Sequence, residues 1–273
     1  MNEISKIIAN ALLEDMPNGD ITTDTLFTNE SSQARFIAKS SGIISGILVA
    51  REVFKQIDEN IHFEIYKENG TSVVKGDTIA MVSGLTKSIL KGERVALNFM
   101  QRMSGIATLT AQYVAQTIGT KALILDTRKT TPNFRILEKQ AVKDGGGMNH
   151  RMNLSEMVML KDNHIKAAGS ITKAVNIVKS KIPSTIKIEI EVESIIELKE
   201  ALKTPVDIIM LDNMSVGMMT ECVLINHGIK KLEASGNMTL DRIHEVAKTG
   251  VDYISVGALT HSYSALDISL KFL

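Results

Sequence analysis

The chain has 273 residues, enough to bury one large core, or one large and one small. Lysine plus arginine equals aspartate plus glutamate at 31 each, so no global charge argues for nucleic acid or a membrane surface as partner. A single cysteine, Cys222, excludes an internal disulfide, no apolar run approaches the roughly 20 residues of a bilayer span, and residues 2–8 lack the apolar core of a signal peptide; the expectation is a soluble cytoplasmic protein. The first third opens with an amphipathic helical pattern over 4–13 and the turn-rich Pro17-Asn18-Gly19-Asp20. A strand is expected at 34–39, a helix near 49–57 and a strand at 61–66. Turns at Asn69-Gly70-Thr71 and Lys75-Gly76-Asp77, with a strand after them at 78–82, complete a small β-rich unit. A long helical pattern over 87–118 bridges to the remainder, and the first third reads as an α+β domain.

From Lys121 onward apolar runs recur at 122–125, 157–160, 186–192, 208–211, 229–232 and 253–256. Helical patterns lie between them at 136–143, 171–181, 195–202, 216–226 and 240–248, the third opened by a Ser194/Glu197 capping box. Such alternation demands a parallel sheet, open or closed into a barrel. The runs end on Asp126 with Arg128, then Lys161, Glu191, Asp212, Ser235-Gly236 and Gly257. Reactive and glycine residues at successive strand tips converge on one mouth in a β/α barrel, whereas a doubly wound sheet gathers them at one switch point. No Gly-x-Gly-x-x-Gly follows a first strand and no phosphate-loop lysine motif is present, so the barrel is favoured.

Three groups face the expected mouth. Asp126-Thr127-Arg128-Lys129-Thr130-Thr131-Pro132 makes a poor core but a good anion cradle, and Gly145-Gly146-Gly147 lets backbone approach a ligand ahead of His150 and Arg151. With Lys161 these give five cationic candidates: Arg128, Lys129, His150, Arg151 and Lys161. Local pairing with Asp126, Glu138, Asp144 and Asp162 is the bland alternative, and five convergent loop positions weigh against it. Glu191 and Asp212 form an acidic group suited to a metal-diphosphate site, or to a developing carbocation. Glu189 and Glu193 share a strand face with Glu191, and spacing does not choose among the three. Ser235-Gly236 and Gly257 offer backbone N–H groups where barrels hold phosphate, with His261 as a further phosphate donor or a helix cap. His164 lacks a second histidine at i+4 and a nearby cysteine, which argues against zinc.

In order along the chain, these residues resemble the quinolinate phosphoribosyltransferase family, the decarboxylating nicotinate-nucleotide pyrophosphorylases of NAD biosynthesis. The resemblance runs through Gly19-Asp20-Ile21-Thr22-Thr23, Glu93-Arg94-Val95-Ala96-Leu97-Asn98, Ser104-Gly105-Ile106-Ala107-Thr108 and residues 126–132. It continues through residues 145–151, Lys161-Asp162-Asn163-His164, Met210-Leu211-Asp212-Asn213, Glu233-Ala234-Ser235-Gly236 and Ser255-Val256-Gly257 with His261. It implies an incomplete α/β barrel over 106–264, an N-terminal α+β sandwich domain over 1–105, a tail about 265–273 packed on that domain, and a homodimer. It also implies that quinolinate carboxylates meet Arg128, His150, Arg151 and Lys161, with Arg94 supplied across the dimer interface. Phosphoribosyl pyrophosphate and Mg²⁺ would meet Lys129, Glu191, Asp212, Ser235, Gly236, Gly257 and His261, and the motif match selects Glu191. Lys129, Glu191 and Asp212 take the catalytic part. Asn133-Phe134 and Asn237 depart from the family, which usually has glycine and leucine, and glycine, at these places. The molybdenum-associated ModD-like branch shares much of the pattern, and intact Lys161-Asp162-Asn163-His164 favours the quinolinate enzymes over it. Two rivals stand beside this reading: a Schiff-base aldolase barrel with Lys161 as nucleophile, and a non-catalytic anion sensor, which would gain nothing from Glu191 and Asp212.

Overall fold

The computed structural model describes residues 2–273. Its first five strands are β1 (Ser31–Ala38), β2 (Gly42–Ile43), β3 (His62–Ile65), β4 (Ser72–Val73) and β5 (Thr78–Leu85). Beyond residue 120 come β6 (Leu123–Leu125), β7 (Val158–Leu160), β8 (Ile188–Val192), β9 (Ile208–Asp212), β10 (Lys231–Ser235), β11 (Tyr253–Ser255) and β12 (Ile268–Phe272). The chain forms two compact units that interleave along the sequence. One holds the residues up to Ala111, Thr130–Gly146 and Ser262–Leu273; the other holds Gln112–Lys129 and Gly147–His261.

The first unit is built on an antiparallel sheet in the order β12-β1-β5-β3. Alternation along β1 buries Ala34, Phe36 and Ala38, and Ala80 and Val82 of β5 are buried beside them. The helix Ile47–Ile57 buries Ile47, Ala50, Val53 and Phe54, and Phe36, Phe54 and Phe63 form a ring cluster with centroids 5.8–6.1 Å apart. The last strand, β12, pairs with β1 and sets Leu270 opposite Phe36. The helix Arg135–Asp144 also belongs to this unit and buries Leu137, Glu138, Ala141 and Val142. Its apolar period identifies a helix, and although it lies between residues 106 and 264 it belongs to this unit.

The second unit contains six parallel strands in the order β6-β11-β10-β9-β8-β7. Read as a ring, this is chain order from β6 round to β11 and back to β6, with β6 and β7 unpaired among the described residues. The result is an incomplete α/β barrel. Helices Ile171–Lys179, Ile195–Ala201, Val216–Asn226 and Leu240–Lys248 return the chain between strands. Serines 170, 194 and 215 cap the first three by accepting backbone N–H groups. The apolar run 229–232 misplaces one strand: β10 starts at Lys231, and Ile229 is exposed. Glu233 ends the apolar run in sequence, yet it is fully buried in mid-strand. The short helix Asp162–Ala168 after β7 lacked a sequence signal, having no buried residue.

Candidate active site

Parallel barrel strands point alternate residues inward, and alternate strands share a layer. Glu189 of β8 and Glu233 of β10, both fully buried, accordingly converge across β9. Between them sits His150, whose Nε2 lies 2.9 Å from Glu189 Oε2 and 3.4 Å from Glu233 Oε2. The backbone N–H of His150 donates to Asp126 Oδ1 at 2.9 Å, and Asp126 N–H donates to Met148 O at 3.1 Å. This ties the segment 148–151 to the tip of β6. The backbone N–H of Arg151 donates to His150 Nδ1 at 2.8 Å, which sets the ring proton on Nε2, toward the carboxylates.

Burial disfavours a charged imidazole, and the hydrogen bonds and charges of Glu189 and Glu233 push the His150 pKa upward against it; the ring accepts the Arg151 N–H on Nδ1 in its neutral form. Burial first, then the Glu233 charge, raises Glu189 to about 7. Glu189 therefore holds its proton further toward neutral pH than a free carboxylate does.

Arg151 sits above this layer. Its guanidinium donates to Met157 O at 2.9 Å, while burial and then the charge of Arg128 lower its pKa. An anion bound by Arg151 would relieve this unfavourable effect of Arg128. Lys161, at the tip of β7, reaches Glu191 Oε2 with Nζ at 3.2 Å, and its side chain is half exposed. His164 Nδ1 accepts the Lys161 N–H at 3.0 Å, a local turn contact. The acids weighed as local partners are otherwise engaged: Glu138 with Arg102, Asp144 with the Ser45 hydroxyl, and Asp162 with Lys166.

At the adjoining tips, carboxylate oxygens of Glu191, Glu193 and Asp212 lie within 4.8 Å of one another. Asn213 Nδ2 donates to Asp212 Oδ2 at 2.7 Å, and Asn213 N–H donates to Ser235 O at 3.0 Å, linking the tips of β9 and β10. Gly236 has φ +87°, and a Cβ there would collide with the Asn213 side chain and backbone nitrogen. At Gly257 a Cβ would stand 3.0 Å from His261 Nε2 and 3.1 Å from Lys129 Cδ. Thr260 Oγ1 donates to Lys129 O at 2.8 Å. Lys129, Gly257 and His261 thus form one group, with Ser235 and Gly236 on the neighbouring strand tip. Arg94 is exposed on the helix Thr86–Ala115 of the other compact unit.

Spacing left Glu189 open beside Glu191, and sequence reasoning missed Glu233 and Asn213. A signal for the two glutamates existed: each interrupts an apolar parallel strand, where neither face is ordinarily open to water.

Comparison with known proteins bears on this geometry. The quinolinate phosphoribosyl transferase N-terminal domain model matches residues 20–104 and the C-terminal domain model matches residues 106–271. A probable nicotinate-nucleotide pyrophosphorylase [carboxylating] of Bacillus subtilis (strain 168) is 41% identical over 98% of this chain and 93% of its own length. A mitochondrial quinolinate phosphoribosyltransferase [decarboxylating] of Nicotiana tabacum is 45% identical over 98% of this chain and 82% of its own. The crystal structure of NadC from Streptococcus pyogenes superposes with a TM-score of 0.95 at 40% identity, covering 99% of this chain and 97% of that one. The chain belongs to the quinolinate phosphoribosyltransferase family.

Proposed function

We propose that this chain transfers the phosphoribosyl group of phosphoribosyl pyrophosphate to quinolinate with loss of carbon dioxide, giving nicotinate mononucleotide and pyrophosphate. The observation that carries the reading is the set of strand tips of one barrel, where Arg128 acts on Arg151 and Lys161 meets Glu191 of the carboxylate group. The guanidinium pair suits a dicarboxylate, and the carboxylates suit a cation or a cationic transition state.

Glu191, Asp212 and the neighbouring Glu193 present hard oxygen donors, which fits Mg²⁺ held together with substrate phosphates. Bound there, Mg²⁺ would neutralise charge on the departing pyrophosphate. Lys129, His261 and the backbone at Ser235, Gly236 and Gly257 bind the phosphates of the donor. As the anomeric C–O bond breaks, its electrons leave with pyrophosphate and the ribose carbon becomes positive; Glu191 and Asp212 offset that charge. The pyridine nitrogen then bonds to this carbon, oriented by Arg128, Arg151 and Lys161 on the quinolinate carboxylates; His150, expected beside them, turns its two ring nitrogens to Glu189 and Glu233 and to the Arg151 N–H and stands behind the clamp. The ring is now a pyridinium. Cleavage of the C2–carboxylate bond releases carbon dioxide and leaves an electron pair beside the positive nitrogen, and that carbon takes a proton. Lys161 is ion-paired to Glu191 on a half-exposed stem, unlike the desolvated amine that Schiff-base chemistry needs.

Arg94, exposed on its helix, reaches the quinolinate site of a second subunit in a homodimer. No helix among the described residues is long and apolar enough to cross a membrane, which suits work in the cytoplasm. The test is pyrophosphate release from phosphoribosyl pyrophosphate and Mg²⁺ in the presence of quinolinate or of nicotinate. Release with quinolinate alone is expected; equal release with nicotinate would overturn the assignment of two carboxylate clamps.

A further inference from the structure

Glu189 and Glu233 have no part in the chemistry above, yet each is fully buried in the barrel. Burying two carboxylates side by side is expensive, and apolar residues would fill the same strand positions at no electrostatic cost. None of their four oxygens has a neutral hydrogen-bond partner; what they face is the edge of His150, at 2.9 and 3.4 Å. The ring is held on its opposite side as well, by the Arg151 backbone N–H on Nδ1 at 2.8 Å. His150 itself is buried, with a side-chain exposure of 7%. Its imidazole therefore transmits a fixed geometry from the floor of the barrel to the backbone at Arg151.

We infer that Glu189 and Glu233 are positioning residues of the quinolinate site: the buried carboxylate pair locks the His150 ring, and the ring in turn fixes the Arg151 backbone and the direction of its guanidinium. The arrangement also accounts for the choice of acids over amides. The Glu189 charge acts favourably on Arg151, where it opposes the unfavourable effect of Arg128. Two guanidinium groups can be preorganised close together before any anion arrives only if negative charge lies beneath them. This inference rests on the reading of Arg151 as a quinolinate clamp.

The experiment compares steady-state kinetics of the wild-type enzyme with Glu189→Ala, Glu233→Ala, Glu233→Gln, His150→Ala and the double variant His150→Ala/Glu233→Ala. Product formation by the wild type with quinolinate and phosphoribosyl pyrophosphate checks the activity separately, so its absence would sink the function and not the inference alone. Each alanine variant is expected to raise the quinolinate KM about tenfold to a hundredfold, the scale of a displaced positioning group. The KM for phosphoribosyl pyrophosphate should stay within about twofold of wild type, because the lock acts through His150 and Arg151, which the donor's phosphates do not meet. Glu233→Gln, which keeps an acceptor for Nε2–H, should recover part of the loss and stay folded if alanine does not. The double variant should be no worse than His150→Ala, since the acid acts through the ring. Additive losses, or equal rises in both KM values, would overturn the inference. So would one equivalent of tightly held divalent metal whose removal reproduces the variants, because His150, Glu189 and Glu233 would then be a ligand set.

Discussion

The charge of Arg128, which is exposed, acts unfavourably on the half-buried Arg151 and lowers its pKa. An anion between them gains from both. Arg128→Ala is therefore expected to raise the quinolinate KM on the order of a hundredfold, since truncating one partner of a charge pair that the bound ligand desolvates costs about 2–5 kcal/mol. The same variant should leave the KM for phosphoribosyl pyrophosphate nearly unchanged. Gly236→Ala should show the reverse pattern, since a Cβ at φ +87° drives into Asn213 and displaces the β10 tip offered to phosphate. Equal responses of both KM values in either variant would remove the division between the two substrates. At this scale much was legible. Cations, carboxylates and glycines at strand tips are chemically conspicuous, and the structure brings Lys129, Gly257 and His261 together. The two departures from the family pattern also have a physical reading: Asn133 and Asn237 adopt φ +63° and +49°, and asparagine is the side chain that best tolerates this glycine-favoured region. Loop shape is kept without glycine.

Strand β10 shows where reading by element fails. The run 229–232 is apolar, yet the strand is Lys231–Ser235, because Ile229 is exposed and Glu233 faces the barrel interior. Hydropathy treats an acid as an end of burial, and only a partner three loops away, His150, reverses that sign. The same cluster makes a stability prediction. In an unfolded chain Glu189 titrates near 4.5; folded, it rises to about 7. The shift is upward, so the folded state binds more proton. The stabilisation is complete below about pH 4.5 and is lost as pH rises to about 7. Thermal melts should show the wild-type Tm falling across this range, with a shallower fall in Glu189→Gln/Glu233→Gln. Parallel slopes would mean that other groups carry the dependence.

The division of the whole chain was the least legible feature. Composition changes style near residue 105, and the family models meet between residues 104 and 106, but the compact units exchange segments. The helix Arg135–Asp144 joins the first unit, as strand β12 does in the tail expected to pack there. Periodicity reports that a segment is amphipathic, not which surface receives it. The proposed homodimer with Arg94 reaching a second active site is open to a mixing test. Arg94→Ala and Arg128→Ala enzymes, each weak alone, should regain up to about a quarter of wild-type activity when their subunits are exchanged, because one site per mixed dimer keeps both arginines. Absence of any gain in demonstrably mixed dimers would place Arg94 elsewhere.

The central claim is that one site joins phosphoribosyl transfer to loss of the carboxylate beside the ring nitrogen. Quinolinate carrying ¹³C in its 2-carboxylate, incubated with the enzyme, phosphoribosyl pyrophosphate and Mg²⁺, tests it most directly. The account predicts labelled carbon dioxide and unlabelled nicotinate mononucleotide in amounts equal to the pyrophosphate released. Label retained in a nucleotide product, or labelled carbon dioxide formed without phosphoribosyl pyrophosphate, would contradict it.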